Sequence, residues 1–144
     1  MSDTELRVER LIAAPPERVF AHWTDPALLA TWFGPEGFDI PERSIDLRVG
    51  GTWHAVMAHP EGRRMGVGGA YRVIDLPRRL VFTWAWDDEK GQPGFETEVT
   101  VTFAPSAGGT QLVIVQKVFE NAESRDQHVW GWNGTLNKLE RLFV

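Results

Sequence analysis

Cysteine is missing from all 144 residues, tyrosine occurs once and methionine three times. Without a thiol there is no disulfide, no thiolate metal site and no cysteine nucleophile, and the pattern fits a reducing cytosol. Positive charge is also scarce: 15 Lys and Arg against 20 Asp and Glu leave a formal charge of −5. The broad cationic field that draws proteins onto nucleic acid or anionic lipid is therefore lacking, and neither a nucleic-acid partner nor membrane insertion is expected. No run of 18 apolar residues occurs, and Met1-Ser2-Asp3-Thr4-Glu5 lacks the cationic-then-apolar order of an export signal. A cytoplasmic protein is the expectation. The 14 Gly and 9 Pro, about 16% of the chain, fall below the roughly 25–30% that marks disorder. No internal repeat appears, so residues 1–144 read as one domain, large enough to fold without a metal or cofactor.

What is abundant is indole. Seven of the sixteen aromatic residues are Trp, a side chain so bulky that a small domain must either pack it in a wide core or line a hollow with it.

The apolar pattern changes period along the chain. Loose alternation from Thr4 to Ile12 gives an opening strand stopped by Ala13-Ala14-Pro15-Pro16. Val19, Phe20 and Trp23 then form the stripe of a short helix with Pro in its first turn. Asp25-Pro26 caps a second helix carrying Leu28, Leu29, Trp32 and Phe33, ended by Gly34-Pro35. From Phe38 the period is two: Ile45, Leu47 and Val49; Trp53, Ala55 and Met57; Gly69, Tyr71 and Val73; Leu80, Phe82, Trp84 and Trp86; Val99, Val101 and Phe103; Leu112 and Ile114. Asn121 to Phe143 returns to helical period with His128, Trp132, Thr135, Leu136, Leu139, Leu142 and Phe143 on one stripe. About seven strands, two short helices after the first and one long closing helix make an α+β protein whose sheet must curl around that helix.

The alternation turns Trp53, Ala55, Met57, Phe82, Trp84, Trp86, Val99, Val101, Leu112 and Ile114 toward the helix, walls suited to an apolar guest. Gly131 and Gly134 inside the helix serve either close backbone approach or a wider cavity. Gln116 and His128 are polar groups on otherwise apolar faces, able to orient a guest or to serve as hydrogen-bonded core residues. Catalytic groupings are thin. His54 and His59 lack a third metal ligand nearby. Gly66-Val67-Gly68-Gly69 opens a strand without P-loop or Rossmann spacing and reads as a bulge or turn. Asp87-Asp88-Glu89 reads as a solvated turn, and no serine has a nucleophile-elbow context.

Five segments carry a resemblance: His22-Trp23-Thr24-Asp25-Pro26, Leu29-Ala30-Thr31-Trp32-Phe33-Gly34-Pro35, Gly50-Gly51-Thr52-Trp53, Pro77-Arg78-Arg79-Leu80-Val81-Phe82-Thr83-Trp84 and Gly131-Trp132-Asn133-Gly134-Thr135-Leu136. Together, from about Glu5 to Phe143, the chain resembles the activator of heat-shock protein 90 ATPase homologue family. That resemblance implies the SRPBCC or START-like helix-grip fold, a curved antiparallel sheet gripping a C-terminal helix around a deep apolar cavity. The fold serves carriers, receptors, cyclases and cochaperone domains alike, so it does not name a function. Relatives that bind a Rieske cluster need Cys ligands missing here. The eukaryotic cochaperone adds an N-terminal domain for which these residues leave no room, so chaperone binding is not the expected role.

The expectation is a binding module holding a small apolar, aromatic or polycyclic molecule between sheet and helix. Its candidate contacts are Trp32, Phe38, Trp53, Ala55, Met57, Tyr71, Phe82, Trp84, Trp86, Val99, Val101, Ile114, Gln116, His128, Trp132 and Thr135. The alternatives are a cyclase or hydrolase-like enzyme using His128 as general acid or base, and a cochaperone-like interaction domain. No cofactor or metal is expected, and a homodimer is open.

Overall fold

The computed structural model describes residues 3–143. Strand β1 (Glu5–Ile12) is followed by helices α1 (Pro16–Thr24) and α2 (Pro26–Leu29). Strands β2 (Asp39–Ile45), β3 (Thr52–Ala58), β4 (Arg64–Asp75), β5 (Arg79–Asp87), β6 (Pro93–Ser106) and β7 (Gly109–Lys117) come next, and helix α3 (Ala122–Arg141) closes the chain. All neighbouring strands are antiparallel in one sheet ordered β1-β7-β6-β5-β4-β3-β2. Register shifts in β2, between Tyr71 and Val73 of β4, and between Ala85 and Asp87 of β5 are the irregularities that bend a strand and sharpen its twist.

Local chemistry explains the boundaries. Pro15 and Pro16 open α1, where a missing N–H is harmless. The Asp25 carboxylate accepts the Ala27 N–H at 2.9 Å, and the Asn121 side chain accepts the Ser124 N–H at 2.8 Å, so both following helices are capped. Glu123 in the first turn of α3 and Lys138 and Arg141 in its last complement the helix dipole.

Three expectations need correction. Strand β2 ends at Ile45, and Leu47 and Val49 are exposed. A tight turn, with the Arg48 and Gly51 amides donating to the Asp46 and Arg48 carbonyls, takes the chain out of the ladder there. Helix α2 stops at Leu29, and Trp32 and Phe33 are carried by turns after it. The Gly66–Gly69 run is neither bulge nor turn but part of β4. A side chain at Gly69 would strike the Thr83 carbonyl of β5, and one at Gly66 would strike Asp87. Over this bare stretch His54 of β3 reaches Asp87 of β5 at 2.7 Å on the outer face of the sheet.

The inner face is apolar, as the alternation requires: Trp53, Ala55, Met57, Phe82, Trp84, Val99, Val101, Leu112 and Ile114 are all buried. Helix α3 is tied to the β1 edge by Arg10, whose guanidinium donates to Asn137 Oδ1 at 2.8 Å, Asn133 Oδ1 at 2.9 Å and Glu140 Oε1 at 3.1 Å.

Candidate functional site

The space between sheet and helix is filled at one end and hollow at the other. At the filled end, Trp23 meets Trp32 with ring centroids 4.7 Å apart and Phe20 meets Phe103 at 5.1 Å. The void left among Trp23, Leu29, Phe33, Trp53, Tyr71 and Phe82 is only about 20 Å³, room for about one water. Burial there pushes the Tyr71 phenol far above its ordinary pKa, so it stays protonated.

At the other end, under the first turns of α3, lies a cavity of about 500 Å³. Met57, Met65, Trp84 and Trp86 form its sheet side, and Phe33 and Pro35 close one flank from the α2–β2 loop. Helix α3 contributes Ser124, Gln127, His128, Gly131, Trp132 and Thr135. Arg63 and Trp130 complete the lining, and because both are exposed, Trp130 by 72%, they mark its mouth.

The helix sequence explains why the hollow is here. Ser124, His128, Gly131 and Thr135 follow one another at four-, three- and four-residue steps and so stack along one face. Two of these side chains are small and one is absent. A turn later the inward residues are Leu136 and Leu139, both fully buried. The two glycines divide the roles open to them. A Cβ at Gly131 would meet nothing within 4 Å, so this residue widens the cavity. A Cβ at Gly134 would come within 3.5 Å of the Glu36 nitrogen, so this residue faces the loop that forms the cavity's flank.

That loop is held to α3 by its backbone. The Lys138 ammonium donates to the carbonyls of Phe38 at 3.1 Å, Gly34 at 3.2 Å, Phe33 at 3.3 Å and Pro35 at 3.5 Å. Partial burial lowers the Lys138 pKa, opposed by the nearby carboxylates of Glu36 and Asp39. Outside, Arg141 forks onto Glu36 at 2.6 and 2.8 Å, and this hydrogen-bonded pairing holds the Glu36 carboxyl below its usual range.

His128 has both ring nitrogens engaged. The Trp86 indole N–H donates to Nε2 at 2.9 Å, and an indole can only donate. Nε2 must therefore accept, which leaves Nδ1 carrying the proton it gives to the Ser124 carbonyl at 2.7 Å. The ring is the neutral Nδ1–H tautomer, and burial lowers its pKa, partly opposed by the Ser124 carbonyl. Protonating Nε2 would displace Trp86, so the geometry suits a wall-positioning residue rather than a freely available acid or base.

Gln116 does not project into the cavity. It is fully buried in a relay in which the Trp132 indole donates to Gln116 Oε1 at 2.8 Å. Gln116 Nε2 donates to Thr97 Oγ1 at 2.8 Å, and Thr97 Oγ1 donates to the Trp84 carbonyl at 3.2 Å. The relay joins α3 to β7, β6 and β5 and fixes Trp132 in the cavity wall. Each polar group finds a partner, as burial demands.

Of the candidate contacts, Met57, Trp84, Trp86, His128, Trp132 and Thr135 meet around the large cavity. Trp53, Tyr71 and Phe82 line the small void instead. Ala55, Val99, Val101 and Ile114 are packed core at zero exposure. Trp32 is equally buried, its indole N–H donating to the His22 carbonyl at 2.9 Å, and Phe38 meets the His59 ring at a tilt of 60° with centroids 5.1 Å apart. Alternation could not find Phe33, Pro35, Arg63 and Met65, which loops and the start of β4 bring to the cavity. The small residues Ser124 and Gly131 were a legible signal, since they share the His128 face. Among the described residues no group of three His, Cys, Asp or Glu could hold a metal ion, and no helix is long and apolar enough to cross a membrane.

A curved seven-stranded antiparallel sheet closed on a long C-terminal helix, with short helices after the first strand, defines a helix-grip domain of the SRPBCC type. Within that class, the chain belongs to the family described as Activator of Hsp90 ATPase homolog 1-like protein, which matches residues 13–144. Among solved structures, it is similar to the AHSA1 protein of Silicibacter pomeroyi, with 34% identity over 95% of each chain and a TM-score of 0.88. A protein of Chromobacterium violaceum is 32% identical over 96% of each chain at a TM-score of 0.84. A protein of Nitrosomonas europaea is 26% identical over 99% of this chain and 95% of its own, at 0.82. No curated protein matches.

Proposed function

We propose that this protein is a binding module for a small apolar molecule with an aromatic or polycyclic body, held between the sheet and the first turns of α3. The observation that carries this reading is the cavity of about 500 Å³ walled by Trp84, Trp86, Trp132, Met57 and Met65. Its size falls within the roughly 300–1,000 Å³ of small-molecule sites, and flat indoles with adaptable thioethers are surfaces on which ring systems stack. Rigidity supports the same reading. The Gln116 relay, the Trp86–His128 hydrogen bond and the Lys138 clamp fix three sides of the hollow through the protein's own contacts, so little ordering is left for a guest to impose.

The test uses the neutral fluorophore N-phenylnaphthylamine. Its emission rises and the protein's tryptophan emission is quenched as the two are titrated, and the melting temperature increases with probe concentration, as mass action requires. Gly131→Leu, which projects a side chain into the open space, abolishes the binding while the protein stays folded. A wild-type protein that changes neither fluorescence nor melting temperature with this probe overturns the reading.

A further inference from the structure

The cavity's charges are as uneven as its shape. The chain carries 20 Asp and Glu, yet none lines the cavity, whose charged wall residue is Arg63 at the mouth. Nearby charges on the β3–β4 hairpin are already engaged: Arg64 pairs with Glu42, and His59 lies 3.7 Å from Glu61. Arg63 forms no ion pair and its side chain no hydrogen bond among the described residues. The Gln127 amide and the Ser124 hydroxyl, also lining the cavity from α3, are likewise without a side-chain hydrogen bond there. Trp130 adds an exposed indole beside them. An unpaired, donor-only guanidinium at the mouth, with a hydroxyl and an amide free elsewhere in the lining, leaves an apolar hollow with hydrogen-bonding capacity that no acidic side chain of its own wall answers.

We infer that the guest is an organic acid: its apolar body fills the indole-walled hollow and its carboxylate, or a comparable oxyanion, meets Arg63 at the mouth. This rests on the proposed reading of the cavity as a binding site and adds the chemistry of the guest's polar end. A carboxylate matches the planar guanidinium in a way that no neutral head group does. In a protein of net charge −5 the local cation also offsets the general repulsion of an anion. Arg63 is thereby a specificity residue rather than the source of most of the affinity, because a pair at the rim remains solvated.

The experiment compares two probes with the same ring system on the full chain: anilinonaphthalenesulfonate, whose sulfonate stands in for the acid group, and its uncharged counterpart N-phenylnaphthylamine. In Arg63→Gln the affinity for the sulfonate falls about fivefold, the upper range for an exposed pair, and that for the neutral probe is unchanged. Raising the salt concentration weakens sulfonate binding to the wild type and does not weaken it in the variant. Gly131→Leu removes both probes, locating them in the hollow. If both bind the wild type and Arg63→Gln moves both equally or neither, the acid inference fails while the binding reading stands. If neither binds the wild type, both fail.

Discussion

The two ends of the space under α3 are built from the same kinds of residue and differ in what they leave empty. Near α1 and α2, Phe20, Trp23, Trp32, Phe82 and Phe103 interlock, and the void beside Trp23 and Phe82 is only about 20 Å³. Beneath the first turns of α3, Trp84, Trp86 and Trp132 stand around about 500 Å³. Aromatic content does not separate them. The filled end has two helices and a loop pressed onto the sheet, whereas the hollow end is roofed by one helix whose inward row carries Ser124, Gly131 and Thr135. The indoles are tied differently as well. Trp86 and Trp132 donate to side chains, His128 and Gln116, while Trp32 and Trp53 donate to the backbone carbonyls of His22 and Thr83. One end is packed for stability, and the other is braced to stay open.

That contrast can be broken most severely at the filled end. Trp32→Ala deletes a fully buried ring and orphans the His22 carbonyl, so chemical denaturation should record a loss of about 3–5 kcal/mol. At the hollow end Trp86→Ala should cost less than this, since the ring already borders empty space, and equal losses at the two sites would erase the distinction. Next in size is Gln116→Leu, which strands the Trp132 indole N–H in the interior and removes the bond that the Thr97 hydroxyl accepts. A loss of about 1–3 kcal/mol is expected, with a red shift of tryptophan emission as Trp132 loosens.

Gly131→Ala sharpens the comparison from the other side. The added methyl enters open space and improves helix propensity, so stability should rise by about 0.5–1 kcal/mol. A destabilised variant would mean that this stretch of helix lies against the sheet. The histidine gives a smaller, pH-dependent effect. Because burial lowers the His128 pKa in the folded protein, the unfolded chain binds the proton more readily. Its contribution to stability is therefore full above the ordinary histidine value of about 6.5, declines as pH falls below it, and levels off once the folded ring also protonates. Melting temperatures followed from about pH 8 to pH 5 should fall less steeply in His128→Gln than in the wild type, and parallel profiles would remove His128 from this role. The smallest effect is expected from Glu36→Gln, which breaks an exposed fork to Arg141 while the Lys138 clamp remains. It should chiefly reduce the salt dependence of melting.

Much of this architecture was legible in the residues. Alternation in Trp53-Ala55-Met57 and Leu80-Phe82-Trp84 put the right side chains inward, because a pleated strand can present only alternate residues to a core. Asn121 and the long stripe from His128 to Phe143 marked the closing helix, which ends at Arg141, just short of the stripe's last two residues. The candidate site was legible only in part. Inward direction was read as exposure to a cavity, and for Ala55, Val99 and Ile114 inward means solid packing. Gln116 shares their parity, yet the indole of Trp132, sixteen residues away, takes up its oxygen. Leu47 and Val49 show the opposite failure, an apolar rhythm running past the ladder into a turn.

By itself, then, the order of residues determined the strands, the closing helix and the inward face, since each follows from short-range periodicity and local capping, while the resemblance to the family rests on its scattered motifs. How far α3 stands from the sheet, and which indoles meet one another, was decided only in three dimensions. Arg10, Lys138 and the Gln116 relay set that distance through contacts made by residues sixteen to more than a hundred and twenty positions apart, and no periodic pattern encodes a gap.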